Sequence, residues 1–547
     1  MAIRPIREPR APLGSVLMRP IEWAHGQSLR LLEWFNQERW TLALTLLALA
    51  AANLLILYFF LQGQDNRAIA FVVLVFITVL AWLVPEFSVA ALIVGGSSLY
   101  INSFYFASVG TGSTGMRTVL LALLLIVSFR AIYEYLRTPP AERPKVFSWL
   151  ILLLVLFWGY YMGHVAYIYL FRYNIPPPSS VEHALGFPLR GVFRYFDAHI
   201  IWIGVLPTVI LLRSYERAKR TLFLVGLAAF SGGIATFVDY LAPLPDFWKI
   251  VFQIQRAGET QEGYRVSAPA PIHLVVLLMW YLLYRVGYLR WWQNPIALLY
   301  LTTAALAVAV MKTRILWAPI MLLLPFALLL KPPKAQLRQL YVFGFASLLA
   351  VALLLQPRVY DLTTQITREV VQRWQRNYAF GGDPRNDPSY QFRLREREAW
   401  EQHYATLSLT EKLFGRGLEE GYGLYIDVSA LGYGPRYKWV YIEKTRLHFS
   451  WLGRLLHIGI LGTVLLALVL VAAILGAAQA FLVIPQPSVK ALAFASLATT
   501  VGILPFDAIQ HFTIADFPVL PIVFSWAIVE AAFHWHRTGQ LSDETND

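Results

Sequence analysis

The stretch WTLALTLLALAAANLLILYFFL, residues 40 to 61, decides the fold class. It contains no charged side chain and matches a bilayer crossing, because a hydrocarbon core about 30 Å thick is spanned by a helix of about 20 apolar residues. Working outward, comparable runs recur almost to the carboxyl end. They lie near 40–61, 68–84, 87–106, 116–134, 147–170, 191–212, 221–240, 271–289, 295–311, 314–330, 339–356, 449–480, 488–506 and 517–535. Over the whole chain of 547 residues, 57% are hydrophobic, 14% are charged and mean hydropathy is +0.53. Soluble domains carry about 25% charged residues, so a soluble enzyme is excluded. The expected fold is an all-α polytopic membrane protein with about 14 transmembrane helices.

Charge sets the expected direction of threading. The formal net charge is +13, but in such a chain the placement of Lys and Arg matters more than their sum. Residues 1–39 are polar, with Arg4, Arg7, Arg10, Arg19, Arg30 and Arg39, and lack a cleavable signal pattern. They read as a cytoplasmic segment, in which Leu29, Leu32 and Phe35 fit either a helix on the membrane surface or a basic tail. With that end inside, four basic clusters fall on the cytoplasmic side: Arg137, Arg143 and Lys145; Arg213, Arg217, Lys219 and Arg220; Arg285 and Arg290; Lys331, Lys334 and Arg338. The organisation expected is eleven spans over 40–356, a large, partly helical extracytoplasmic loop over 357–447, three spans over 448–536, and a cytoplasmic tail over 537–547. A loop of that length is uncommon unless it is functional or disordered, and its aromatic, helix-periodic sequence points to a folded cover on the outer mouth. The chain shows neither a repeat of fixed period nor an inverted half-repeat.

The absence of cysteine excludes disulfides, a thiol nucleophile, cysteine-ligated zinc and iron–sulfur clusters. Charges inside spans, such as Arg130, Asp197 and Asp239, are few and sit toward span ends, which argues against ion-coupled transport. Polar chemistry gathers instead around the long outer loop. In HFSWLGRLLHIGILG, residues 448–462, positions His448, Leu452, Leu455, Gly459 and Gly462 fall within about 40° of one line on a continuous helix. The two glycines allow a helix or a lipid chain to approach closely. His448 stands in the first turn, where the helix dipole attracts anions, and its imidazole could take a proton from a hydroxyl. A lone histidine at an interface is otherwise a satisfied surface group, and His457, on the opposite side, is read that way.

Lys312 and Arg314 flank Thr313 at an outer span end, where the positive-inside rule disfavours cations. An external anion explains them, as does snorkelling of long side chains to the interface. In YQFRLREREAW, residues 390–400, Arg393, Glu396, Arg397 and Trp400 share a helix face, while Arg395 and Glu398 read as solvent-facing. The turn FGRGLEEGYG, residues 414–423, offers Gly415 and Gly417 in a loop whose amides could cradle an anion. Outer acids are scattered, with Asp65 alone in the first outer loop and Asp507, His511 and Asp516 near the last. No metal or cofactor is therefore expected.

Taken in order, these motifs resemble the bacterial O-antigen ligase and O-antigen polymerase superfamily over roughly residues 300–470. His448, Leu452, Gly459 and Gly462 keep the family's histidine-motif spacing, with Phe449 where Asn or Ser is usual. Arg393 with Glu396 looks like its R-x-x-E stretch leading to the glycine turn, and Thr313 with Arg314 looks like its span opening. Fourteen spans exceed the family's usual twelve or so. The resemblance implies an inverting, metal-independent glycosyltransferase of the bacterial inner membrane. Its implied donor is an undecaprenyl-diphosphate-linked glycan and its implied acceptor a glycan or lipid hydroxyl on the extracytoplasmic face; no nucleic acid is implied. Arg314 and Arg393 would bind the diphosphate and His448 would act as general base. Lys312 and Arg397 would add positive charge, Gly415 and Gly417 would shape the glycan cleft, and Gly459 would admit the polyprenyl chain. The alternative is a lipid-linked glycan flippase or exporter, which needs no base.

Overall fold

The structure, a computed structural model, describes residues 83–97, 114–144, 148–167, 204–244, 255–260, 263–267, 271–311, 314–379, 388–417, 422–426, 440–444, 450–507 and 520–541. The first expected span lies outside these residues, as do Lys312, Thr313 and His448. The described chain is helical. In order its helices are α1 (Pro85–Ser97), α2 (Thr114–Arg137), α3 (Trp149–Tyr167), α4 (Val205–Leu211) and α5 (Tyr215–Leu241). Then come α6 (Pro271–Arg285), α7 (Asn294–Met311), α8 (Arg314–Leu329), α9 (Pro333–Leu354), α10 (Pro357–Ala379), α11 (Pro388–Ala405) and α12 (Leu409–Phe414). The last three are α13 (Ser450–Val483), α14 (Pro487–Asp507) and α15 (Leu520–Arg537). Among the described residues three helices are long and apolar enough to cross a membrane, namely α5, α9 and the Trp451–Val483 part of α13, and five shorter apolar helices accompany them.

Two antiparallel hairpins interrupt the helices. Gln255–Thr260 pairs with Gly263–Ser267, and Tyr422–Ile426 pairs with Val440–Lys444, with Leu424 opposite Ile442. Both fall between expected spans. Their aromatic and β-branched residues, such as Tyr425, Val440 and Tyr441, suit a pleated surface.

The core forms where apolar faces of α5, α6, α13 and α14 meet. Trp280 of α6 meets Phe494 of α14 edge-on at 5.8 Å, and Tyr284 meets Phe481 of α13 at 5.6 Å. Small residues let helices close in: Ala477, Ala480, Ala491 and Ala495 are buried between α13 and α14. A second apolar cluster joins α3, α13 and α15 through Phe157, Val469 and Trp526. By contrast α9 stands at the periphery, with Tyr341, Phe345 and Leu348 exposed, as a helix facing lipid would be.

The four basic clusters meet at one end of the bundle. Arg217 of α5 reaches Glu134 of α2 at 2.6 Å, joining the first two clusters. Lys331, in the turn between α8 and α9, donates to the terminal carbonyls of α6 at Leu283 (3.1 Å) and Val286 (2.7 Å), joining the last two. The α6 helix stops there because Gly287 takes φ +101°, and any Cβ would lie 2.5 Å from the Ala335 carbonyl. The same end holds the α13–α14 turn, where the Gln486 side chain donates to Leu541 O and Tyr215 bonds Ser488.

Candidate functional site

At the opposite end, α13 breaks. Gly459 has φ +68° and ψ −178° inside an otherwise helical run, a region that in practice only glycine occupies. Residues 450–458 therefore form a short helix and residues 460–483 a longer one. The longer piece is about 36 Å at 1.5 Å per residue, enough by length for one crossing. The expected single stripe from His448 to Gly462 ends at Leu455, because the break resets the helical phase before Gly462.

A helix that stops leaves carbonyls without partners. Here the turn after α12 supplies them: Arg416 N donates to Leu456 O at 2.8 Å, and Gly417 N donates to His457 O at 2.9 Å. Gly415 N is engaged by Glu411 O at 2.7 Å. The amides of 415, 416 and 417 thus hold protein carbonyls and are not offered to an anion; residues 418–421 of the turn lie outside the described residues. The approach also explains the glycines. Gly415 has φ +80°, Gly459 N lies 2.5 Å from where its Cβ would be, and a Cβ on Gly459 would overlap Leu413 O. Close approach to Gly459 is accordingly made by the backbone of residues 413–415.

Sequence reasoning missed the third member of this junction. Tyr160 of α3 donates to Ile458 O at 2.7 Å and contacts Phe414 O at 3.3 Å. One hydroxyl therefore joins the last carbonyl of the short helix to the end of α12. A Cβ on Gly462 would sit 2.6 Å from Tyr160 Cε1, so this glycine admits the ring. The only local signal was a hydroxyl in an apolar run flanked by Gly159 and Gly163.

The α11 helix packs on the short piece of α13. Trp400, Leu407 and Leu456 are buried together, with Tyr404, Leu452 and Leu455 against them. Arg393 is half-buried and Glu396 wholly buried on that face. Arg397 does not share the face: it is exposed and pairs with Glu401 at 2.7 Å. Arg395 and Glu398 are exposed, as expected. Tyr404 stacks on Trp400 at 4.6 Å, and burial raises its pKa. A capping box of Ser408 and Glu411 starts α12, and Glu411 also lies 3.6 Å from Arg416. Arg454, buried, lies over the Trp451 ring at 4.5 Å. His457 is half-buried and joins the junction through its carbonyl.

Arg314 opens α8, where the sequence put a span opening. Pro319 of α8 meets Gly502 of α14, so the first turns of α8 lie beside the last turns of α14. Because α14 returns along α13 after a short turn, this is the end that carries the break. The structure thus unites Gly415, Gly417 and Gly459 in one junction, places Arg393 on the adjoining helix and Arg314 at the same end. No protein-family model matches the chain, and no curated protein is significantly similar to it.

Proposed function

We propose that this protein transfers a glycan from a polyprenyl-diphosphate carrier to an acceptor hydroxyl at the outer face of the bacterial inner membrane, without a metal. The observation that carries the reading is the junction at Gly459. It draws the Arg393 helix and the glycine turn, separated in sequence from α13 by tens of residues, onto the helix that begins two residues after His448. In this reading fourteen spans put both termini in the cytoplasm and the loop over 357–447 outside. The short piece of α13 then lies at the outer interface, level with a lipid diphosphate.

The chemistry follows from the residue types. The acceptor oxygen attacks the anomeric carbon, the bond from that carbon to the diphosphate oxygen breaks, and polyprenyl diphosphate leaves. His448 takes the hydroxyl proton, a role open to an imidazole. Arg314 and Arg393 offset the charge gathering on the leaving diphosphate. Attack opposite the leaving group inverts the anomeric centre.

The test is release of free polyprenyl diphosphate from a lipid-linked oligosaccharide by purified protein in EDTA. Candidate acceptors are supplied, and wild type is compared with His448→Ala and Arg393→Ala. Release that His448→Ala abolishes while donor binding persists supports the reading. Donor binding without release under every acceptor condition, and unaffected by either substitution, favours a carrier flippase and overturns it.

A further inference from the structure

At the basic end, three arginines surround one carboxylate. Glu134, 7% exposed, meets Arg130 at 3.0 Å, Arg217 at 2.6 Å and Arg213 at 3.9 Å. Arg213 also donates to the Thr138 hydroxyl. Beside them Arg143 donates to Thr138 O at 2.9 Å and Leu136 O at 3.3 Å, both uncharged acceptors, and Arg137 donates to the Tyr133 hydroxyl. One carboxylate cannot neutralise this group, and a guanidinium has five N–H donors, so Arg213 and Arg217 keep donors to offer. Their side chains are 32% and 24% exposed, open to a ligand but partly desolvated.

The surroundings are apolar on the outside. Phe129 and Ile132, on the α2 helix that also carries Arg130, Glu134 and Arg137, are exposed, giving acyl chains an apolar surface within two turns of these cations. We propose that the group of Arg137, Arg143, Arg213 and Arg217, gathered around Glu134 and Thr138, binds the phosphate of an anionic phospholipid from the leaflet at this end. Basic pockets between membrane helices bind anionic headgroups in this way. The apolar flank selects a lipid over free phosphate, and the excess positive charge selects an anionic over a zwitterionic headgroup. The inference requires a membrane but no glycosyl transfer, so either can fail without the other.

The test is native mass spectrometry of the full purified chain, counting phosphatidylglycerol retained against phosphatidylcholine. Phosphatidylglycerol should be preferred about tenfold or more, and Arg213→Gln with Arg217→Gln should remove that preference. Lys219→Gln, at an exposed pair with Glu216, should leave it intact. Because the double variant could misfold, Glu134→Gln serves as a second reading: removing the competing carboxylate should raise phosphatidylglycerol retention. Equal retention of the two lipids, no gain in Glu134→Gln, or displacement by millimolar inorganic phosphate would overturn the proposal.

Discussion

Replacing Gly459 with Ala should open the junction between the α12 turn and α13. At φ +68° and ψ −178° an alanine is strained by about 1–3 kcal/mol. Its Cβ would also overlap Leu413 O and lie 2.5 Å from Gly415 N. Both neighbours are backbone, so no side-chain rotation relieves the clash. Moving them apart sacrifices Arg416 N to Leu456 O and Gly417 N to His457 O, each worth about 1 kcal/mol net. The local loss is then about 3–5 kcal/mol, or at least a hundredfold in the opening equilibrium at 1.4 kcal/mol per tenfold. Hydrogen exchange read by mass spectrometry on the peptide containing Arg416 and Gly417 reports that equilibrium directly. Gly226→Ala is the control, because a Cβ there meets nothing within 4 Å and it sits inside α5. The variant at Gly459 should speed exchange of these amides at least about a hundredfold, and the control should not change it. Unchanged exchange in Gly459→Ala would refute the argument that the break is held by this backbone contact.

Further expectations concern neighbouring and distant groups. Tyr160→Phe strands the Ile458 carbonyl, which now accepts at 2.7 Å, and should destabilise the protein by about 1–3 kcal/mol in thermal unfolding. Arg397→Ala removes an exposed i, i+4 pair with Glu401, and exposed pairs are worth little, so unfolding should shift by less than about 0.5 kcal/mol. Burial lowers the Lys331 pKa from 10.5 to about 7. Between those values the unfolded chain binds a proton that the folded chain does not, so stability should rise from pH 7 toward pH 10 and be flat below 7. Lys331→Gln should abolish that rise in unfolding temperature; a rise of the same size in the variant would assign it to other groups.

What was legible in the sequence follows the range of the forces involved. Apolar runs act locally, through the solvent they exclude, so α2, α3, α5 to α9 and α13 to α15 fall on runs read from composition alone. The basic clusters were equally legible as sharing one side, because the bias depends on counting charges; that they meet through Glu134 and Lys331 was not. The candidate site divides the same way. Glycine spacing marked Gly415, Gly417 and Gly459 as special, yet the continuous helix assumed through Gly459 hid the break there and the backbone contact it makes. What they do depends on an encounter between residues 413–417 and 456–459 that no local pattern encodes. The shared face expected for Arg397 was not met for a finer reason: positions 393, 396, 397 and 400 subtend a wide arc, and only tertiary packing decides which edge of the arc is covered. Glu396 and Trp400 are buried on one side, and Arg397, on the other edge, is exposed and pairs with Glu401. A helix broken by glycine and met there by a distant backbone fixes the turn after α12 to α13 through main-chain atoms.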